Sequence, residues 1–216
     1  METQVVLALL SSFLLIASGT IYGVKFLYKR NYLLGFECLI IAFSATNFLV
    51  YLLTKWTIPY GISFFLDAFS RGFGIPIVAV LGMMAVTHDY KPSVLKDALI
   101  FAVSFAATFV LIGADFMAGP LPYFYVIMWT GYSLYLVYFI ARLGYLGERL
   151  HALGMTVAMV LGLAVAFIYD FFPIPNDESK VVFLTLALTT WSYIMVQMYY
   201  AYSAFERAKV GIARAR

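Results

Sequence analysis

Seven long apolar stretches, joined by short polar connectors, fill almost the whole of this 216-residue chain. They lie near residues 4–24, 32–54, 62–87, 95–116, 121–142, 152–172 and 181–204. About 20 consecutive apolar residues carry a helix across a bilayer, and every stretch reaches that length. Composition points to the same solvent: 64% of the residues are hydrophobic and 12% charged, with a mean hydropathy of +0.92. So few charges could not cover that much apolar surface in water. The chain reads as an all-α integral membrane protein, a single seven-helix transmembrane domain over residues 1–216. No connector is long enough to hold a soluble module.

The first stretch follows an acidic leader, Met1-Glu2-Thr3-Gln4, and its basic residues come only afterwards, at Lys25, Lys29 and Arg30. A secretory signal peptide has the reverse order, so this stretch is expected to be a true span. One set of helix ends holds Lys25, Lys29, Arg30, Lys91, Lys96, Arg142, Arg149, Arg207, Lys209, Arg214 and Arg216, whereas the other holds only Lys55 and Lys180. The positive-inside rule then puts the N-terminus outside and the C-terminus in the cytoplasm. The basic excess accounts for a pI near 8.9 and suits anionic lipid headgroups at the cytoplasmic face, with no call for nucleic acid. Compact connectors are the pattern expected of a multi-pass protein of the bacterial inner membrane. Cys38, the sole cysteine, reads as a small packing residue.

Turn signals separate the spans at Ile58-Pro59-Tyr60-Gly61, at Ala118-Gly119-Pro120 and at Pro173-Ile174-Pro175-Asn176-Asp177. Charge does so at His88-Asp89-Tyr90-Lys91-Pro92. A weak internal repeat also emerges. Phe26-Leu27…Arg30…Leu34-Gly35 matches Tyr145-Leu146…Arg149…Leu153-Gly154 at an offset of 119 residues, which also aligns Phe13 with Tyr132 and Phe48 with Phe167. Residues 4–87 and 121–204 would then be parallel three-helix units joined by a linker helix at 95–116, a 3+1+3 plan found in several transporters.

Ionisable groups inside a bilayer are costly and face the bundle interior or a wet cavity. The third span carries two, Asp67 and Arg71, at an i, i+4 spacing that allows an ion pair along the helix. Counting from Ser63, the Arg71 backbone should lie about 12 Å deep. Its guanidinium cannot shed its proton and needs a partner or water. Gly72, Gly74 and Pro76 follow, and Pro76 should kink the helix. These three residues form the candidate gate. The second span carries Glu37, Ser44, Asn47 and Tyr51 on one stripe. Asn47 shares the depth of Arg71, and either bonds the third span or lines a cavity. Glu37, near the inner end, is expected to snorkel or pair with Lys29 or Arg30. The last span adds Thr185, Thr189 and Ser192, with Trp191 alongside; the fifth offers Trp129. Cation–π contact of Arg71 with Trp129 and Trp191 is geometrically open. Asp115, Asp170, Asp177 and Glu178 make an acidic outer rim that would concentrate cations.

The candidate substrate-binding set is therefore Asn47, Asp67, Arg71, Trp129, Thr189, Trp191 and Ser192. Neither a metal nor a cofactor is expected. His88 and His151, the only histidines, lie near one membrane surface in different spans. No Gly-x-Ser-x-Gly elbow or phosphate-binding loop occurs, and the last span has no lysine in its apolar interior for a retinal Schiff base. No catalytic residue is assigned. The pattern fits a small transporter or channel for a small molecule or ion. The alternatives are a non-catalytic sensor or partner subunit of a membrane complex, docked through the basic tail, and a lipid-modifying enzyme using an aspartate.

Overall fold

The computed structural model describes residues 2–172, 174–178 and 180–214. Met1, Pro173 of the expected last turn and Arg216 of the basic tail lie outside the described residues. Seven helices are long and apolar enough to cross a membrane, and no strand occurs among the described residues. They are α1 (Glu2–Tyr28), α2 (Tyr32–Thr54), α3 (Thr57–Thr87), α4 (Val94–Gly113), α5 (Leu121–Tyr145), α6 (Arg149–Asp170) and α7 (Val181–Arg214). Short connectors make successive helices antiparallel. Helices α1, α3, α5 and α7 start at what we call the N-terminal face, and α2, α4 and α6 start at the opposite, C-terminal face.

Local chemistry sets the helix ends. Asn31 opens α2 by accepting from the Leu34 N–H at 3.2 Å, and Ser93 opens α4 by accepting from the Lys96 N–H at 3.4 Å. Lys55 ends α2 in the left-handed region, at φ 59°. Asp177, expected on a solvated rim, caps α7 instead. Its carboxylate accepts from the N–H groups of Val182 at 3.1 Å and Phe183 at 2.8 Å.

The turn expected at Ile58-Pro59-Tyr60-Gly61 is not one. Helix α3 already begins at Thr57, so those residues form its first turn. Proline is tolerated there because its missing N–H would have no intrahelical partner anyway. Nor does α3 simply kink at Pro76. Its middle, Ser70–Ala79, is π-helical, between α-helical Thr57–Phe69 and Val80–Thr87. Pro76 lacks an N–H and its ring obstructs the carbonyl four residues back; a wider turn accommodates both.

Six helices form a ring in the order α1, α2, α3, α5, α6, α7, with α7 closing on α1. Helix α4 stands outside the ring, chiefly against α3, where Phe105 stacks on Phe69 at 4.3 Å between centroids. Within the ring, α1 and α2 approach closely through small residues: a Cβ at Gly19 would stand 2.8 Å from the Cys38 carbonyl oxygen. The face of α3 through Gly74, Val78 and Gly82 is buried. Helix α7 has 34 residues. At about 1.5 Å per residue it outruns a hydrocarbon core of about 30 Å and projects from the C-terminal face.

Candidate functional site

A cavity of about 420 Å³ occupies the N-terminal half of the ring and is lined by residues of α1, α2, α3, α5, α6 and α7. Tyr60 and Phe64 of α3, with Glu178 and Lys180 of the α6–α7 connector, form its rim. Leu15, Ile41, Trp129, Gly162 and Trp191 line it near the middle of their helices. Its walls are mostly aliphatic and aromatic, as small-molecule sites usually are. The polar exceptions are concentrated on α2 and α3: Ser44, Ser63, Asp67, Ser70 and Arg71.

Arg71 does not project freely into this space. Only 8% of its side chain is exposed. Its guanidinium carbon lies 3.9 Å from the centroid of the Tyr125 ring and 3.7 Å from that of Tyr169. Nη2 donates to Asp170 Oδ2 at 2.6 Å. The i, i+4 partner Asp67 is farther, 3.8 Å from Nη1, so it is an electrostatic neighbour and the hydrogen bond belongs to Asp170. Asp170 is the last residue of α6. The arginine has snorkelled: side chains on a helix lean toward its N-terminus, which carries the charge from a deep backbone position to the end of a neighbouring helix. The expected cation–π partners are also corrected. Tyr125 and Tyr169 hold the guanidinium, whereas Trp129 and Trp191 pack on each other at 5.6 Å and 61° as part of the cavity floor.

With Arg71 engaged by Asp170, Asp67 is the ionisable side chain most open to the cavity interior. Its side chain is 42% exposed although α3 continues for ten residues on its N-terminal side. It is one of the residues that line the cavity.

Three other expected residues lie elsewhere. Asn47 is not in the lining; its amide donates to the Phe43 carbonyl of its own helix at 2.9 Å. The bond between α2 and α3 expected of Asn47 is made by Ser44, one turn earlier, to the Ser63 carbonyl at 3.2 Å. Thr189 faces outward, and its neighbour Thr190 is the buried one. Ser192 is buried but outside the lining, and bonds the Leu188 carbonyl at 2.8 Å, as serines in apolar helices commonly do. Asp67, Arg71, Trp129 and Trp191 are therefore brought together on one cavity, and Asn47, Thr189 and Ser192 are not.

Glu37 departs furthest from expectation. It neither snorkels nor pairs with Lys29 or Arg30. It is wholly buried, and neither carboxyl oxygen has a hydrogen-bond partner among the described residues. It fills the notch left by Gly74 in the π-helical stretch, where any Cβ would overlap the carboxyl group. Ser70 lies beside the carboxyl, the one polar side chain within reach of it, and belongs to the cavity lining.

Toward the C-terminal face the ring is packed, and a second pocket, open at that face, is lined by Val86, Asp89, Tyr202, Glu206 and Lys209. Cys38 Sγ meets Met195 Sδ at 3.2 Å below the tryptophans, and Phe26, Met83, Phe139, Met198 and Phe205 are fully buried. Asn31 fastens three helices: its amide donates to the Gly82 carbonyl of α3 at 2.8 Å and to the Tyr202 hydroxyl of α7 at 3.2 Å. Lys29 pairs with Glu206, and Lys209 donates to Asp89 at 2.8 Å and to the Val86 carbonyl at 3.1 Å. The Thr87 and Tyr135 hydroxyls lie 3.1 Å apart. Asn31 was not singled out from sequence, although an asparagine just before an apolar run is a helix-start signal. Comparison with known families, characterised proteins and solved structures finds no match to this chain.

Proposed function

We propose that this chain is a small alternating-access transporter of the bacterial inner membrane. Its N-terminal face would lie outside, and its cavity would be open to that side. The observation that carries this reading is the one-sided cavity: it reaches the middle of the bundle and ends on a tightly packed floor. A channel needs a continuous path, whereas a carrier presents its central site to one side at a time. The positive-inside bias supports the orientation.

The neighbour relations support the 3+1+3 plan. Exchanging α1, α2 and α3 for α5, α6 and α7 maps the α1–α2 contact onto α5–α6, α2–α3 onto α6–α7, and α1–α7 onto α5–α3. Helix α4, outside the ring, suits a linker. In this reading α3 flexes on the C-terminal side of Arg71, at Gly72, Gly74 and Pro76 of the π-helical stretch, since π-turns recur at functional sites. Arg71 acts as a brace that ties α3 to α5 and α6. The tail reading of a docked partner subunit has less support, because Lys209 is already bonded within the chain.

Cys38, the sole cysteine and buried just below the floor, is a native reporter of this cycle. In inside-out membrane vesicles, an impermeant maleimide should label Cys38 slowly from the C-terminal side. Asn31→Ala, which removes the clasp at that side, should accelerate the labelling. Complete protection in both proteins, alongside ready labelling from outside intact cells of a cysteine placed on the cavity wall, would leave a static ligand-binding sensor as the better reading.

A further inference from the structure

We infer that the cavity selects a lipophilic organic monocation, held by Asp67 against aromatic walls. This rests on the reading of the cavity as a substrate site and names its ligand class. Charge favours a cation. Two carboxylates, Asp67 and Asp170, face one guanidinium, and Arg71 is committed to Asp170 at 2.6 Å. With both carboxyls ionised, one negative charge is left over, on Asp67, the member of the trio that is 42% exposed, whereas Arg71 and Asp170 are 8% and 13% exposed. At the rim Glu178 and Lys180 offset one another. An anion entering would meet Asp67 and find the arginine already bonded and flanked by the Tyr125 and Tyr169 rings.

The wall chemistry does the same. Trp129, Trp191, Tyr60 and Tyr169 line the same space, and the negative faces of aromatic rings favour a cation over an anion of equal size. The aliphatic remainder suits an apolar body and offers little to a hydrated ion, which would have to shed its water shell. A volume of about 420 Å³ suits a compact molecule of drug-like size.

Tetraphenylphosphonium and tetraphenylborate share a shape and differ in the sign of their charge, so they separate charge selection from simple partitioning. The measurement is equilibrium binding of each ion to the purified full chain in nanodiscs of zwitterionic lipid, with empty nanodiscs subtracted. Saturable binding of the phosphonium, weaker binding of the borate, and a loss of about tenfold or more in phosphonium affinity for Asp67→Asn are the expected results. Asp67→Glu should retain most of the affinity. Equal or preferential binding of the borate overturns the inference without any variant, as does an unchanged affinity in a folded Asp67→Asn protein. Proteoliposome flux separates the two readings. Saturable phosphonium binding without flux removes the transporter and leaves the cation site, whereas flux of an anionic solute without phosphonium binding does the opposite.

Discussion

The two halves of the ring solve opposite problems with similar residues. Toward the N-terminal face, charge and aromatic bulk line a space: Arg71, Asp170, Tyr125 and Tyr169 form a pillar beside the cavity. Toward the C-terminal face, amides, hydroxyls and ion pairs draw helices together, with Asn31 bridging α2, α3 and α7. Interhelical hydrogen bonds in membranes average only about 0.6 kcal/mol. A closure built from several such bonds can be opened bond by bond. A pillar built on a buried ion pair cannot, because removing one partner strands the other charge. The difference teaches where the proposed transport cycle would move: the C-terminal clasp is the part suited to open, and the Arg71 pillar is the part suited to stay rigid.

Breaking the pillar should have the largest effect. Arg71→Ala leaves the partly buried Asp170 without its partner and should destabilise the protein by about 3 kcal/mol, read from unfolding in mixed detergent micelles. Combining Arg71→Met with Asp170→Leu should recover most of that loss, because an apolar pair of similar volume removes both charges. The next effect is at the π-helical notch. Gly74→Ala drives a methyl group into the Glu37 carboxyl and should cost about 1–3 kcal/mol by overpacking. Adding Glu37→Ala should restore stability, and the double-mutant cycle should show strong coupling.

The clasp should respond more mildly. Asn31→Ala removes the α2 cap and the links to Gly82 and Tyr202, at a cost of about 1–2 kcal/mol, with the accelerated Cys38 labelling described above. The smallest effect is at the exposed end of the same face. The hydrogen bond from Lys209, reinforced by its charge, holds the Asp89 carboxyl below its ordinary value of 3.8. A lowered carboxyl contributes stability above its unfolded value, and that contribution is lost as pH falls through the lowered one. Lys209→Ala should therefore flatten the acid limb of a plot of Tm against pH and leave neutral pH nearly unchanged.

The spans were legible because each is a long apolar run, and their count matches. What each span touches was much less so. In water an amphipathic stripe marks the buried face, but in a bilayer lipid and core are equally apolar and the stripe fades. One residue of phase then separates the outward Thr189 from the buried Thr190. Asn47 shares a stripe with Ser44, yet only Ser44 reaches the neighbouring helix. Asp67 and Arg71 were findable because charge in an apolar run is rare. Asp170, the true partner of Arg71, stands 99 residues away at a helix end, where an acid reads as solvated. Pro59 and Pro76 marked interruptions, but one lies in a first turn and the other in a widened helix. Glu37 was misplaced because nothing in its own helix announces Gly74 of α3.

Paired cysteines test the one-sided cavity most directly. In a Cys38→Ala background, Leu188→Cys places a thiol on the cavity wall, and Met195→Cys places one two turns lower on the same helix, beneath the floor. An impermeant maleimide added outside intact cells should label the Leu188→Cys protein readily and leave the Met195→Cys protein unmodified. Equal labelling of the two from outside, or labelling of Leu188→Cys only from the cytoplasmic side, would contradict the account.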